Sequence, residues 1–492
     1  MSETQPPHEC REEPAPIAAP KVKSRKAKSA SSSSTPPSIP SQNSLSRAFT
    51  IVVGSYEKLL YGIEGTYSFA LPSPSSPSTS SAPSPSEYPT LSLKPVFIFP
   101  AHVASVKAVA AAPSGGRWLA TGSSDEIIKV WDLKRKKEVG GLMQHQGSIT
   151  HLAFPTRTHL ISASEDGTIA LFHTRDWELL LVLKGHKGRV NCVAVHPSGK
   201  VALSVGKDRA LRMWDLMRGK PSASTMLGKE GEVVRWETGG KRFVVASGNT
   251  ADVYSTDMKL IQSIQHASRI QDVRFRRHPD ESDEVGADEL LFIAAEDKKV
   301  SVYKRTSKVP AEPSNSVSDE RGEIEGEEVE AQAREEYVIV AELVGHANRV
   351  KALDMLEIAL PNPPSLPGHG ASSSASSKPL KTIVLSTCSS DGFVHVYDLA
   401  SLPSPSSSSS EVKVLEPVAK YDTKGTRLTC MTLAGSDSSS EQVTNVAGMK
   451  RGREDQEDRE EDVELDDEEI EDGPGEEDEN DVGDDDEEEE DE

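Results

Sequence analysis

Ser204, His186 and Asp208 are of the residue types that a hydrolase uses as nucleophile, general base and orienting acid. The same combination recurs along the chain at nearly the same spacing, with another copy beginning at His102. An enzyme does not need several identical active sites, whereas a repeated structural unit repeats its internal hydrogen bonds. The sequence contains no Walker loop, GxSxG motif or HExxH motif. It therefore predicts a non-enzymatic protein in which these residues stabilise a repeated fold.

Each copy combines a His, a Ser or Thr, a turn Asp and an aromatic residue. At four places a Ser or Thr lies four residues before the Asp, and an aromatic residue lies six after it. We expect the Asp to orient the imidazole, the imidazole to bond the hydroxyl, and the hydroxyl to reach an indole N–H, in a buried polar relay. The predicted relay residues are His102, Thr121, Asp125 and Trp131; His145, Ser162 and Asp166; His186, Ser204, Asp208 and Trp214; and His346, Thr387, Asp391 and Tyr397. Phe172 cannot donate, so the second copy keeps only part of the relay.

The repeat has the period of a four-stranded blade. His102, His145 and His186 are separated by 43 and 41 residues, close to the roughly 40–45 residues of one WD repeat. The runs WLATGSSDEIIKVWDL, HLISASEDGTIALF and VLSTCSSDGFVHVYDL resemble WD repeats. We predict an all-β, seven-bladed WD-repeat β-propeller, with Asn249 in the Asp position of a degenerate fifth unit. The units are 49–101, 102–145, 146–186, 187–228, 229–266, 267–346 and 347–424.

The two ends of the repeat region complement each other. Residues 49–69 and 95–101 supply strands for the first unit but no leading strand, while TRLTCMTLA at 426–434 is a strand without a blade. We predict that this C-terminal strand completes the first blade. Such closure removes the free sheet edge that would otherwise invite aggregation.

Composition divides the chain into a ring and polar appendages. Only 35% of the residues are hydrophobic, and Ser, Pro, Asp and Glu occur in blocks that cannot bury enough apolar surface to fold. We predict a disordered segment at 1–46, the propeller at 47–435 and a disordered polyacidic tail at 436–492. Disordered insertions are expected at about 71–89, 280–289, 307–336, 361–380 and 402–411.

The net charge of −24 comes from acidic appendages. Residues 454–492 hold 28 Asp and Glu against one Arg, and residues 311–336 hold ten against two. The rest of the chain then has a net charge of +11. The tail could act as a solubilising segment or as an RNA mimic that shields basic partners such as ribosomal proteins, and we favour the second.

Several basic residues fall near the predicted relays. Arg189, Arg269 and Arg349 each stand three residues after a His, and Lys207 and Arg209 flank Asp208. These residues are candidates for contact with RNA phosphate or an acidic protein surface, or they are ordinary solvated charges. A second basic run, 134–137, belongs to a turn on the opposite side of the ring.

Two short basic motifs resemble nuclear import signals, a type of motif that often matches by chance. They comprise Lys21, Lys23, Arg25, Lys26 and Lys28, and Lys450, Arg451 and Arg453.

The cysteines indicate reduced thiols and no cofactor. Cys10, Cys192, Cys388 and Cys430 have no spacing that would gather thiolates around a metal. No apolar run approaches the roughly 20 residues that span a bilayer. We therefore expect an intracellular protein without a membrane segment.

A more specific resemblance lies in GSYE, DEIIKVWDLKRKKEVG and HQGSIT. With these motifs the chain is similar to the family of the p21-activated-kinase-interacting protein over residues 49–306, 337–356 and 381–435. The long Ser-rich and acidic insertions depart from a compact family member. The resemblance implies a nucleolar scaffold that matures the large (60S) ribosomal subunit by docking assembly factors in pre-60S particles. Pre-rRNA is a further candidate partner. The alternative that it implies is a signalling adaptor that negatively regulates a p21-activated kinase.

Overall fold

The computed structural model describes residues 45–69, 89–278, 289–308, 334–361, 380–403 and 412–436. Both predicted import motifs, nearly all of the predicted tail at 436–492 and most of each predicted insertion lie outside these residues. The described residues form seven β-sheets arranged as a propeller, so the predicted fold class is confirmed.

The first four blades follow the chain in order. Blade 1 contains β1 (Ala48–Ser55), β2 (Leu59–Ser68) and β3 (Thr90–Pro100). Blade 2 contains β4 (Val106–Ala111), β5 (Trp118–Ser123), β6 (Ile128–Asp132) and β7 (Lys137–Leu142). Blade 3 contains β8 (Ile149–Thr156), β9 (His159–Ser164), β10 (Thr168–His173) and β11 (Leu179–Lys184). Blade 4 contains β12 (Val190–Val195), β13 (Val201–Gly206), β14 (Ala210–Asp215) and β15 (Lys220–Met226).

The remaining strands form blades 5 to 7 and return to blade 1. Blade 5 contains β16 (Val233–Trp236), β17 (Arg242–Ser247), β18 (Thr250–Ser255) and β19 (Leu260–Gln265). Blade 6 contains β20 (Ile270–Arg277), β21 (Glu289–Ala295), β22 (Val300–Lys308), β23 (Arg334–Leu343) and an added β27 (Lys413–Leu415). Blade 7 contains β24 (Val350–Ala359), β25 (Lys381–Ser389), β26 (Phe393–Asp398), a 3₁₀ turn (Leu399–Ser401) and β28 (Ala419–Asp422). The last strand, β29 (Leu428–Ser436), joins blade 1.

Burial follows the position of a strand within its blade. Strand β13 is buried along nearly its whole length, while the outer strand β15 is exposed at almost every residue. A strand covered on both faces by neighbouring blades has a nearly continuous apolar sequence, as in VALSV of β13, where the relay residue Ser204 is the one polar side chain. The core therefore lies between the blades, where, for example, Trp214 of blade 4 packs with Ile161 and Leu171 of blade 3.

The ring closes as predicted. Strand β29 pairs antiparallel with β1, with Ile51 opposite Leu433 and Val53 opposite Met431. The Thr429 hydroxyl donates both to the Gly54 carbonyl at 3.0 Å and to the Val106 carbonyl at 2.6 Å, which ties the closing strand to blade 2. A Cβ at position 54 would lie only 2.6 Å from Val106 Cγ1, so this junction requires glycine.

Four strand boundaries differ from the predicted ones because backbone pairing continues into polar sequence. Strand β3 begins at Thr90 and not at residue 95, and β22 and β23 take in the outer residues of the predicted insertion 307–336. Glu289, predicted as the end of an insertion, begins β21 and is buried. Strand β27 was not predicted; it pairs parallel with β23 and adds a fifth strand to blade 6.

Candidate functional site

Blade 4 contains a complete polar relay. Asp208 accepts from His186 Nδ1 at 3.0 Å, and His186 Nε2 lies 2.7 Å from the Ser204 hydroxyl. The Trp214 indole N–H donates to the same hydroxyl at 2.7 Å. Blade 2 has the same arrangement, with corresponding distances of 2.9, 2.8 and 2.9 Å among Asp125, His102, Thr121 and Trp131.

The other two predicted relays end differently. In blade 3, His145 lies 3.0 Å from Asp166 and 2.8 Å from Ser162, and Phe172 has no donor to extend the chain. In blade 7, His346 lies 3.2 Å from Asp391 and 2.8 Å from Thr387. There the Tyr397 hydroxyl donates to the carbonyl of Val344 at 2.9 Å.

A related histidine contact in blade 6 was missed by the sequence reasoning. His266 Nε2 lies 3.3 Å from the Ser301 hydroxyl and 3.8 Å from Asp297. The Ser comes after the Asp in the chain, whereas the template used for prediction placed it before. A search for His and Asp alone, with the hydroxyl allowed on the neighbouring strand, would have found this contact.

The protonation states of Asp208 and His186 in the blade 4 relay are those expected of a structural hydrogen-bond network. Burial raises the pKa of Asp208, but hydrogen bonds from His186 and the backbone N–H of Lys187 bring it below its ordinary value. Burial lowers the pKa of His186, and the nearby Asp208 offsets only part of that effect. The result is a carboxylate beside a neutral imidazole. Since the Ser204 hydroxyl is fully buried and bonded on two sides, it is not presented to a substrate.

The turns that hold Asp125, Asp166, Asp208 and Asp391 lie at one end of the ring, here named the relay face. Lys207 and Arg209 flank Asp208 on this face and are exposed. The predicted candidates Arg189, Arg269 and Arg349 also lie there, each beside the relay or contact histidine of its blade. The structure therefore brings all five basic candidates to the same face.

The three equivalent arginines are paired across blade boundaries. Arg189 donates to Glu230 of the next segment at 3.0 Å, and Arg269 contacts Glu232 at 3.1 Å. Arg349 lies 3.6 Å from Glu296. Their side chains are 40–58% exposed, so each pair contributes about 0–1 kcal/mol to stability. The local charge is largely balanced at these positions, which leaves Lys207 and Arg209 as the stronger candidates for a partner.

Comparison with known proteins gives the family. The model described as "WD domain, G-beta repeat" matches residues 93–132, 136–173 and 177–215. A p21-activated protein kinase-interacting protein 1-like protein of Gallus gallus is 35% identical over 254 residues, covering 51% of this chain and 60% of that protein. Protein MAK11 of Saccharomyces cerevisiae is 30% identical over 409 residues, covering 78% of this chain and 83% of that protein. The chain belongs to this WD-repeat family.

Coverage differs among the members of the family. The chain spans about 60% of the length of the vertebrate 1-like relatives that it matches. Shk1 kinase-binding protein 15 of Schizosaccharomyces pombe is 30% identical over 225 residues, covering 44% of this chain and 58% of that protein. Each matched repeat begins on the outer strand of one blade and ends within the next, since 93–132 runs from β3 to β6. Sequence repeats of this family thus interlock adjacent blades.

The described part of the chain contains no group of three or more His, Cys, Asp or Glu residues that could hold a metal ion. A helix capable of spanning a bilayer is likewise absent from the described residues. Cys192, Cys388 and Cys430 are free and buried. Burial raises the pKa of Cys430 to about 12, which keeps this thiol protonated.

We expect the protein to lose stability in mild acid, because two of its histidines stay neutral in the folded state. Burial lowers the pKa of His151 and of His395 to about 3, whereas an unfolded histidine titrates near 6.5. Between pH 6 and pH 4 the unfolded chain therefore binds more protons at these sites, and the free energy of unfolding falls with pH. Burial raises the pKa of Asp272 to about 6, so the folded protein takes up a proton there in the same pH range. This uptake offsets the stability lost through one of the two histidines. We expect a net loss of about 1–2 kcal/mol per pH unit.

Urea unfolding at several pH values measures this slope. The His395→Gln variant removes one titrating group and should show a shallower decline. An equally steep decline in wild type and variant would show that His395 does not stay neutral in the folded protein.

Proposed function

We propose that this protein is a non-enzymatic scaffold that acts in maturation of the large ribosomal subunit. The observation that carries the proposal is that the chain belongs to this family. The sequence resemblance implies that fungal members of the family serve in ribosome assembly. The match to yeast Protein MAK11 over most of both chains supports it. The relay hydroxyl of Ser204 is hydrogen-bonded within its own blade. We therefore expect partner proteins or RNA to bind the exposed faces of the ring.

Exposed basic residues on the relay face support a proposal about the kind of partner. Lys207 and Arg209 are exposed at a turn next to Arg189. We propose that this surface binds an acidic patch of an assembly factor or the phosphates of pre-rRNA in pre-60S particles. The protein would then work in the nucleolus, and the basic motifs at 21–28 and 450–453 would serve its import. A fluorescent fusion lacking both motifs would test import by remaining in the cytoplasm.

The acidic segment 454–492 suggests an additional role. We propose that its 28 carboxylates shield basic ribosomal proteins before they reach RNA. Binding of a basic ribosomal protein to the chain with and without residues 454–492 measures this role. Equal affinities would leave only a solubilising function for the segment.

A second candidate function rests on the names of the relatives. One vertebrate relative is named for interaction with a p21-activated protein kinase, and the fission yeast relative for binding Shk1 kinase. An adaptor of this type would occlude a kinase regulatory region. Depletion of the protein, followed by profiling of ribosomal subunits and assay of kinase activity, separates the two candidates. Scarce large subunits support assembly, whereas normal subunits with altered kinase activity support the adaptor.

Charge reversal on the relay face should weaken binding to pre-ribosomal particles. In the double variant Lys207→Glu, Arg209→Glu, repulsion replaces attraction at the proposed surface, and we expect about tenfold less co-purified particle. The matched control reverses Lys134 and Arg135, which lie in the β6–β7 turn on the opposite face. Equal recovery with both double variants would exclude the relay face as the docking surface.

A further inference from the structure

A cavity of about 370 Å³ lies at the axis of the ring, among the innermost strands. Strands β4, β8, β12, β16, β20 and β29 all contribute to its wall, near the ends that lead away from the relay face. Its wall combines apolar side chains, such as Phe154 and Trp236, with polar groups. The polar groups include the charged side chains of Arg235, Arg274 and Glu237 and the imidazole of His151. A small concave site with a few polar groups on apolar walls is the usual form of a ligand pocket.

Arg235 is fixed in this wall by three hydrogen bonds, and its Nε–H is not among the bonded donors. One terminal nitrogen donates to the Val234 carbonyl at 2.9 Å and to Cys192 Sγ at 2.7 Å, and the other donates to Asp272 at 3.2 Å. Its Nε is buried and has no hydrogen-bond partner among the described residues. A buried donor without a partner costs about 1–3 kcal/mol, so an acceptor supplied by a ligand would be stabilising.

His151 presents a second such atom. Its Nδ1 is buried and lacks a hydrogen-bond partner within the described ranges. Burial and the charge of Arg235 lower the pKa of His151 to about 3, so the ring is neutral and can carry a proton on Nδ1. A small rotation of the ring that exposes Nδ1 would let the imidazole donate to a ligand in the same cavity without adding charge.

Arg274 can form a stronger contact than those it makes with its present neighbours. Its guanidinium lies 3.8 Å from Asp272 and 3.8 Å from Asp354, beyond hydrogen-bond distance in both cases. Asp354 already accepts from the backbone N–H groups of Met355 and Leu433. About 27% of the Arg274 side chain is exposed. An arginine held by charge but not by hydrogen bonds can offer its planar fork to an incoming carboxylate.

We propose that the axial cavity binds a carboxylate, with Arg274 as the bidentate partner and Arg235 Nε and His151 Nδ1 as supporting donors. The carboxylate comes either from a free dicarboxylic acid or from an acidic side chain that a partner protein inserts along the axis. The apolar wall at Phe154 and Trp236 packs against the carbon chain of either source. This site lies away from the relay face and does not depend on the proposed function.

Calorimetric titration of the full chain with three probes tests the proposal. The probes are succinate, the blocked peptide acetyl-Gly-Glu-Gly-amide and inorganic phosphate. Binding of succinate identifies a free acid as a sufficient ligand, and binding of the peptide alone identifies an inserted side chain. Binding of neither carboxylate by the folded protein at about 10 mM, or binding of phosphate alone, overturns the proposal.

Variants on one strand locate the site. Arg274→Met should weaken carboxylate binding at least about tenfold, and Arg274→Lys, which keeps the charge but loses the fork, should weaken it less. Arg276→Met is the matched control, because Arg276 lies on the same strand with 28% of its side chain exposed and pairs with Glu357 at 3.4 Å. Equal affinity in Arg274→Met and wild type, with both proteins folded by circular dichroism, would place the ligand elsewhere.

Affinity should also rise in mild acid. Asp272 lies beside the site, and burial raises its pKa to about 6, so it loses its negative charge between pH 7.5 and pH 5.5. The titratable and charged groups around it are Arg235, Cys192, Arg274, Asp354, His151 and Cys388. The blocked glutamate peptide is the probe here, because its carboxyl titrates at about 4.3 and stays ionised at both pH values. Removal of one repelling charge should tighten its binding about fivefold. Weaker binding at pH 5.5 than at pH 7.5 would contradict the arrangement.

Discussion

A chain that ends at residue 425 should fail to fold cooperatively, whereas a chain that ends at residue 436 should keep the stability of the full protein. The shorter chain lacks β29, the innermost strand of blade 1. Strand β1 then loses its pairing along eight residues, and Leu428, Met431 and Leu433 no longer bury their side chains. Each buried side chain of this type contributes about 1.5–3 kcal/mol. Their sum, with the lost backbone hydrogen bonds, matches the whole stability of an ordinary domain, about 5–15 kcal/mol.

Thermal unfolding followed by circular dichroism, with size-exclusion chromatography, measures the effect. We expect the 425-residue chain to aggregate, because β1 then presents a long apolar edge. The 436-residue chain is the matched control, since it also lacks the acidic tail but retains β29. A sharp unfolding transition of the shorter chain near that of the full chain would mean that blade 1 does not depend on the C-terminal strand.

The success of the fold prediction has a local physical cause. The relay residues lie at fixed distances from one turn, as Ser204 and Trp214 do from Asp208, so their spacing is visible within each repeat. Ring closure could be predicted because one end of the repeat region lacks a strand that the other end supplies. Both features are properties of sequence order, which the chain displays directly.

Contacts across blade boundaries could not be predicted in this way. Arg189 contacts Glu230, and Arg235 contacts Asp272, over separations of 41 and 37 residues. Such separations are close to one repeat, and many other charged pairs share them. Only the rotation between neighbouring blades decides which charges meet. The sequence therefore identified the rim arginines but not their partners, and it gave no indication of the axial cavity.

Strand β27 illustrates a different limit. Its three residues follow a Ser-rich run and have no alternation that distinguishes them from a loop. They pair parallel with β23, the outer strand of blade 6 before β27 is added. The pairing covers part of an edge that would otherwise be free. Its position depends on the path of a connection, which periodicity does not report.

Loss of a single relay carboxylate should destabilise the ring by about 2–4 kcal/mol. In Asp208→Ala, the buried His186 loses the partner of its Nδ1, and the backbone N–H groups of Lys187 and Ala210 lose their acceptor. The imidazole is then free to rotate away from Ser204, which also weakens the bond to the Trp214 indole. Because the relay is a chain, the loss exceeds that of one average hydrogen bond.

Asp215→Ala is the matched control within the same blade. Asp215 accepts from the backbone N–H groups of Met217 and Arg218 in the β14–β15 turn, but its side chain is about 32% exposed. Water can replace it there, so we expect a loss of at most about 1 kcal/mol. Urea unfolding monitored by circular dichroism compares the two variants. Equal losses would show that Asp208 acts only as a turn acceptor, and that the histidine relay adds nothing to the stability of the blade.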